Sequence, residues 1–287
     1  MANNLVSEIA HGVHRVAVGR GAFVGVFPPN VYFVMGDGVA AFIDTAYGRD
    51  EEIEAQIGLW ESKGRPPIDG IILTHRHGDH IGGAARLSKA TGAPIIASRA
   101  ESKFIDDALE DASVTITVTD GDTMKLGDVN LEFIDMPGHT LGSLGIYHKE
   151  QQLLFTGDNI LGIGSTVILP EQGDLALYLD SLHRMSSRMD GPDYETKMIC
   201  PGHGPMVEKP AAKIKWIIDH RFDRENQILS LLSDGCDTTD CLFTSIYPEL
   251  DNRLHNMARA QIRSHLMKLS REGRIEEHGE RITLLLG

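Results

Sequence analysis

The chain has 287 residues, 41% of them apolar and 24% charged, with a formal net charge of -14, so it can bury one large core and a small one. That acidity disfavours a nucleic-acid partner unless a local basic patch overrides it. Small anionic substrates stay open, because a buried metal centre carries its own positive charge.

In chain order, residues 31–35 and 39–44 read as neighbouring strands turned at Gly36-Asp37-Gly38. A helix is expected over 49–63, a short buried strand over 70–73, a helix over 82–91 and a strand over 94–98. Strands follow over 114–119, 129–134, 144–148 and 153–156; Asp174 caps a helix running to about residue 189, and 198–200 is a last short strand. Many strands with interspersed helices and no clean βαβ repeat point to an α/β sandwich. The stretch Pro205 to Pro210 reads as a boundary between a first domain, 1–207, and a second, 208–287. The second domain opens with a long amphipathic helix over 211–232 burying Ile214, Ile218, Ile228, Leu229 and Leu232. A helix, a longer helix over about 252–272 and a hairpin over 274–277 and 281–286 then give the order of a winged helix.

Residues 1–9 lack a basic segment leading into a long apolar one, and no run of roughly 18 apolar residues occurs, so neither a secretory leader nor a membrane span is expected. Cys200, Cys236 and Cys241 are odd in number and form no Cys-x-x-Cys pair. The expectation is no disulfide framework and a reducing, cytoplasmic home.

The decisive segment is Thr74-His75-Arg76-His77-Gly78-Asp79-His80, directly after the strand over 70–73. Three imidazoles and a carboxylate crowded at a strand end suit a loop folded back on itself, and zinc accepts that mixture of donors. His139, Asp158 and His203 follow at wide spacing, each in a Gly-rich turn. Singly, each of the three is as well explained as an ordinary loop residue; together with the first cluster they suffice for two metals.

On these residues the chain resembles the metallo-β-lactamase superfamily. Its His-x-His-x-Asp-His signature is complete, and the later residues follow in the family's order over roughly residues 12–207. The resemblance implies a four-layer αββα sandwich carrying a small winged-helix domain. It also implies a ligand set: His75, His77 and His139 for one metal, Asp79, His80 and His203 for a second, and Asp158 bridging both. Two zinc ions are the implied cofactor, with iron or manganese open, and Asp44 would orient a ligand histidine. The implied chemistry is hydrolysis by a metal-bridging hydroxide, with Asp79 orienting the nucleophile and shuttling a proton.

Asp158 stands where the zinc-thiolate β-lactamases carry a cysteine. The pattern is therefore similar to glyoxalase II, ribonuclease Z and the lactamase-like hydrolases with a helical C-terminal domain. The stretch His220-Arg221-Phe222-Asp223-Arg224-Glu225, ahead of the winged helix, resembles the subgroup with a mitochondrial endoribonuclease and fungal polyketide thioesterases. His220 and Arg224, one helical turn apart, read as a solvated or interface pair, and the remaining histidines as surface or packing residues. Arg259, Arg263, Lys268 and Arg271 can line one helix face, but acidic neighbours cancel much of that charge.

The expected substrate is a small or carrier-linked molecule with a thioester or other activated acyl bond. An endoribonuclease, an iron-dependent persulfide dioxygenase and a metal-free scaffold are the alternatives. Nucleic acid and membrane are not expected as partners, and a homodimer stays open.

Overall fold

β-branched and aromatic residues alternating between two faces build two sheets in the first of two units. The structure, a computed structural model, describes residues 6–17, 27–191 and 194–285. The first unit comprises residues 1–136, 142–164 and 188–210; the second comprises 137–141, 165–187 and 211–287.

The first sheet takes its strands in chain order: β1 (Val6–Ala10), β2 (Val13–Val16), β3 (Val31–Gly36), β4 (Val39–Ile43), β5 (Ile68–Leu73), β6 (Ile95–Ser98) and β7 (Ile116–Val118). Neighbours up to β4 are antiparallel. From β4 to β7 they are parallel, because helical crossovers return the chain to the same edge. Those connections carry α1 (Asp50–Ser62), α2 (Gly78–Ile81), α3 (Ala84–Thr91) and α4 (Ser102–Ala108). The second sheet joins β8 (Thr123–Leu126), β9 (Val129–Asp135), β10 (Leu144–His148), β11 (Leu153–Gly157) and β12 (Met198–Pro201) in the order β12-β11-β10-β9-β8. Only β11 and β12 are parallel there.

Side chains on a strand point alternately to its two faces, and β3 shows the consequence. Phe33 enters a core with Phe42, Ile71 and Ile95, covered by Ile53 and Leu59 of α1 and Leu87 of α3. Its neighbours Tyr32 and Val34 face the other way, meeting Leu131, Phe133, Ile146 and Phe155 of the second sheet. The sheets therefore pack face to face, with helices outside the first.

The second unit holds α5 (Leu175–Met189) as far as Ser187, α6 (Pro210–Ser233) from Ala211, α7 (Thr239–Ile246), α8 (His255–Arg271) and a hairpin of β13 (Ile275–His278) and β14 (Arg281–Leu284). Asp174 caps α5, its Oδ1 accepting from the amides of Ala176 (2.8 Å) and Leu177 (3.1 Å). Ile228, Leu232, Leu242, Ile262, Leu266, Ile275 and Ile282 form one core across α6, α7, α8 and the hairpin, a winged-helix arrangement.

Several expectations need correction. The hairpin β1–β2, β8 and α4 were not anticipated, and Asp79 and His80 lie on one helical turn rather than in a loop. On α6 Ile217 is buried and Ile218 only partly so. The buried stripe runs Ile214, Ile217, Arg221, Glu225, Ile228 and Leu232, so two charged residues interrupt the apolar signal that defines it. Cys236 and Cys241 form a disulfide (Cα–Cα 5.5 Å), since the turn after α6 returns the chain within reach as α7 begins. Lys268 is buried rather than exposed, bonded to Glu225 (2.8 Å) and Glu272 (2.7 Å).

Phe155→Ala should lower unfolding free energy by roughly 3–5 kcal/mol, because it empties the space between the sheets. Ile116→Ala, at an exposed edge, should cost well under about 1 kcal/mol. Urea denaturation checks both, and equal costs would mean that the sheets do not pack as described.

Candidate metal centre

Parallel pairing sets the site. The chain leaves β4 at Ile43 and β5 at Leu73, neighbouring C-terminal strand ends, and the next residues are Asp44 and Thr74. In the second sheet the parallel strands β11 and β12 end side by side, and the next residues are Asp158 and Gly202-His203. Backbone bonds lock both junctions: Asp44 N donates to Ile72 O (2.8 Å) and Gly202 N to Gly157 O (2.7 Å).

Asp44 is buried with a left-handed φ of 59°. Its Oδ1 accepts from Thr74 N (2.8 Å), and its Oδ2 from Thr74 Oγ1 (2.8 Å) and His80 Nδ1 (2.7 Å). Having given its proton to Asp44, the Thr74 hydroxyl can only accept from His75 Nδ1 at 3.0 Å. Both histidines therefore carry the proton on Nδ1, which makes Nε2 the coordinating atom. His203 is oriented likewise, with Nδ1 donating to Phe27 O at 2.9 Å.

The Nε2 atoms then face one another and the carboxylates. His80 Nε2 lies 3.3 Å from His203 Nε2 and 3.4 Å from Asp158 Oδ1. His203 Nε2 lies 3.3 Å from Asp79 Oδ2 and 3.5 Å from Asp158 Oδ1. His75 Nε2 is 3.1 Å from His77 Nδ1. With the Nδ1–H of His75, His80 and His203 spent elsewhere, their Nε2 atoms and the two carboxylates are acceptors facing acceptors, a set that bound cations or added protons make favourable. Protonation responds to the same demand. Burial opposes charge on His80, but Asp158 and Asp44 outweigh it and push its pKa well up. Burial raises Asp79, yet the hydrogen bond from His203 and the charge of His80 bring it down to about 2.

The donor set fits a borderline metal, being imidazole nitrogen and carboxylate oxygen with no thiolate. Two overlapping groups can each hold an ion within the first unit, His75–His80–Asp158 and Asp79–His80–His203, with ligand atoms within 4.8 Å of one another. Cys200 is fully buried and joins neither group; burial pushes its thiol pKa up.

His139 belongs to the second unit, where its Nδ1 meets Val167 O (3.0 Å) and Thr166 Oγ1 (3.0 Å), which again makes Nε2 the coordinating atom. Two residues separate it from Met136 and two from Gly142, so chain length alone keeps its Cα within about 11 Å of either. That pair closes the first unit around the loop, with Met136 N to Ser143 O at 2.9 Å and Leu144 N to Thr74 O at 2.9 Å.

Residues outside the candidate ligand set also hold the site. Asn30 Nδ2 donates to Pro201 O and Gly204 O (both 2.9 Å), and the Tyr32 hydroxyl to Pro201 O (2.7 Å), pinning the turn that presents His203. A cavity of about 280 Å³ beside this turn is lined by Phe27, Pro28, Asn30, Ile163, Pro205 and Arg15. Gly202 is required by contact, because a Cβ there would lie 2.3 Å from Asp158 Oδ1 and 2.8 Å from His80 Cε1.

Comparison with known proteins agrees with this geometry. The family described as Metallo-beta-lactamase superfamily matches residues 24–203, and the Beta-lactamase associated winged helix domain matches residues 238–282. The Beta-lactamase-like protein 2 homolog of Caenorhabditis elegans is 30% identical over 73% of this chain and 67% of its own. Lactamase-like protein adaB of Aspergillus niger is 27% identical over 96% of this chain and 85% of its own. Among solved structures, a beta-lactamase domain protein from Burkholderia ambifaria superposes with a TM-score of 0.82 at 20% identity, over 98% of this chain and 93% of its own. A metallo-beta-lactamase family protein from Thermus thermophilus gives 0.76 at 22% identity, over 97% and 100%.

Gly202→Ala should displace Asp158 or His80, and Asp44→Asn should loosen His80 and Thr74 together. Metal affinity is expected to fall about 10–100-fold in each, without loss of secondary structure. Competition with a chromogenic chelator measures this, and wild-type affinity in both variants would remove these residues from the site.

Proposed function

Since the chain belongs to the metallo-beta-lactamase superfamily and is a metal-dependent hydrolase of it, we propose that it cleaves a thioester or other activated acyl bond at two bound cations, zinc in the first place. The observation that carries this reading is the set of mutually facing acceptors on His80, His203, Asp79 and Asp158. In this proposal His75, His77 and His139 hold one ion, Asp79, His80 and His203 the other, and Asp158 serves both. When bound, such a pair lowers the pKa of water toward about 7 and polarises the scissile carbonyl.

The protein's own groups supply position and proton transfer. Asp44 and Phe27 O fix the ring planes of His80 and His203. Asp79, a carboxylate at neutral pH with Tyr47 Oη 3.5 Å from its Oδ2, orients the attacking water and takes up its proton. The apolar part of the cavity at Phe27, Pro28 and Ile163 receives the acyl chain.

Acyl transfer is favoured over RNA cleavage by charge. Each basic residue of α8 that could face a phosphate backbone is already paired with a carboxylate: Arg259 with Asp240, Arg263 with Glu277, Lys268 with Glu225 and Arg271 with Asp174. The substrate is accordingly a small or carrier-linked acyl group. No helix among the described residues is long and apolar enough to cross a membrane. We propose a cytoplasmic home, where the reducing thiol pool would open the Cys236–Cys241 disulfide.

Elemental analysis of gently purified protein should find about two transition-metal ions per chain. Matched assays on thioesters, lactones, β-lactams and RNA should show thioester turnover that chelation abolishes and zinc restores. RNA cleavage without thioester turnover would overturn the acyl reading, and active protein with well under about one metal would overturn the binuclear one.

Single substitutions separate ligand from bystander. Asp158→Ala should lose metal and activity together, since one carboxylate serves two charges. His148→Ala, at a residue buried outside every ligand group, should keep its metal. Equal metal content in the two variants would refute the assignment of Asp158.

A further inference from the structure

Within the second unit, a cavity of about 260 Å³ opens between α6, α8, the turn before α8 and residues 165–167. Its lining includes His220, Arg221, Arg224 and Gln261, each of which has one buried nitrogen with no hydrogen-bond partner. Arg221 is 2% exposed; one guanidinium nitrogen donates to Thr166 O, but its Nε has no partner. Gln261, 7% exposed, accepts at Oε1 from Ile168 N (3.2 Å) while its Nε2 has no partner. Arg224 Nη1 and His220 Nδ1 are buried and unsatisfied too. Behind them His265 is fully buried with neither ring nitrogen bonded, and in any protonation state one of those nitrogens is a donor.

Isolated unsatisfied donors are rare in folded proteins, because a buried one forfeits its hydration without replacement. A run of them on one wall, two on arginines, is the complement of an acceptor that carries negative charge. No carboxylate is among the described residues lining the cavity. Glu225, on the same helix, is committed to Lys268 (2.8 Å) and Arg274 (2.7 Å), and Asp219 to Lys215. The crowding shows in the titration of the neighbours. Burial, then Arg221 and Arg224, hold His265 well below its ordinary pKa and lower that of His220.

The lining also has apolar side chains, Leu250, Leu254, Met257 and Ala258, and Tyr247 lies under the Arg224 guanidinium at 4.6 Å. We propose that this cavity is a binding site for an organic oxyanion, a carboxylate or phosphate group attached to an apolar body. Arg221, Arg224 and Gln261 hold the oxyanion by charge-assisted hydrogen bonds, and the Leu–Met wall covers the rest of the ligand. Thr166 forms part of the lining and its Oγ1 lies 3.0 Å from His139 Nδ1.

Trp216 reports on the cavity directly, because its ring stacks on His220 (centroids 5.4 Å, 12° apart) and Trp60 is the chain's other tryptophan. A Trp60→Phe form of the zinc-loaded protein is titrated with inorganic phosphate, phenyl phosphate and benzoate while Trp216 fluorescence is followed. Saturable responses are expected. Phenyl phosphate should bind tighter than inorganic phosphate, and comparison with benzoate distinguishes phosphate from carboxylate as the preferred head. Arg224→Gln should weaken binding at least about tenfold, and Arg224→Lys by less, since it keeps the charge but not the fork. Arg224→Lys carries the comparison if Arg224→Gln does not fold. Asp158→Ala should bind the anions as before even though hydrolysis is lost, so this site and the acyl reading fail separately. The proposal is overturned by no saturable response to any of the three anions. Unchanged affinity in the Arg224 variants, or binding that disappears with Asp158→Ala, overturns it equally.

Discussion

The centre depends on the Asp44 carboxylate. A buried carboxylate is costly unless its oxygens are filled, and Asp44 is filled by Thr74 N, Thr74 Oγ1 and His80 Nδ1. Those three bonds join the ends of β4 and β5 to His80 and, through the Thr74 hydroxyl, to His75. The consequence is rigidity where metal binding needs it: two ligand rings take their tautomer and tilt from a sheet that is itself held by backbone bonds and a packed core. The strained φ of Asp44 is sustained because these partners over-determine it.

A second junction faces the first. Parallel strands end together at the same edge, and each sheet has a parallel pair whose ends carry candidate ligands: β4 and β5 in the first, β11 and β12 in the second. The two sheets meet through Tyr32, Ile43, Phe133 and Phe155, so the separation of the two strand ends is fixed by side-chain packing. Asn30 and Tyr32, from the antiparallel half of the first sheet, reach across to the carbonyls around Gly202. Gly202 closes the arrangement, because any side chain there would occupy the space of Asp158 and His80.

Much of this was legible in the sequence where chemistry is dense. His75-x-His77-x-Asp79-His80 after an apolar strand is unusual enough to mark a metal centre, and the hairpin at Asp37-Gly38 announces itself through turn residues. Structure that depends on partners far along the chain was not legible. β1 and β8 are short, half-exposed and polar enough to pass for loop until their neighbours are known. What Asn30 holds was not legible, because its hydrogen bonds go to residues some 170 positions away. On α6 the apolar count pointed to Ile218, whereas Arg221 and Glu225 share the buried stripe with Ile217, and charged residues are not expected there. The same blindness hid Lys268, which reads as a surface cation until Glu225 is found beneath it.

The distribution of charge across the second unit carries the last step. On α8, every arginine and the one lysine meet a carboxylate, so that helix contributes little net field despite its basic sequence. Surface pairs of this kind add little stability, but they do cancel potential. On α6, Arg221 and Arg224 have no such partner among the described residues, and Arg221 is buried. A desolvated cation without a counter-charge is among the more expensive features a fold can retain. In a chain of net charge -14 the long-range field turns small hydrated anions away. Electrostatic attraction inside the cavity is therefore partly offset for a simple inorganic anion. An anion that also brings apolar surface gains from covering the wall of Leu250, Leu254 and Met257, and that gain offsets both the repulsive approach and the loss of its hydration. Repulsion outside with attraction inside thus selects for amphiphilic anions over simple inorganic ones.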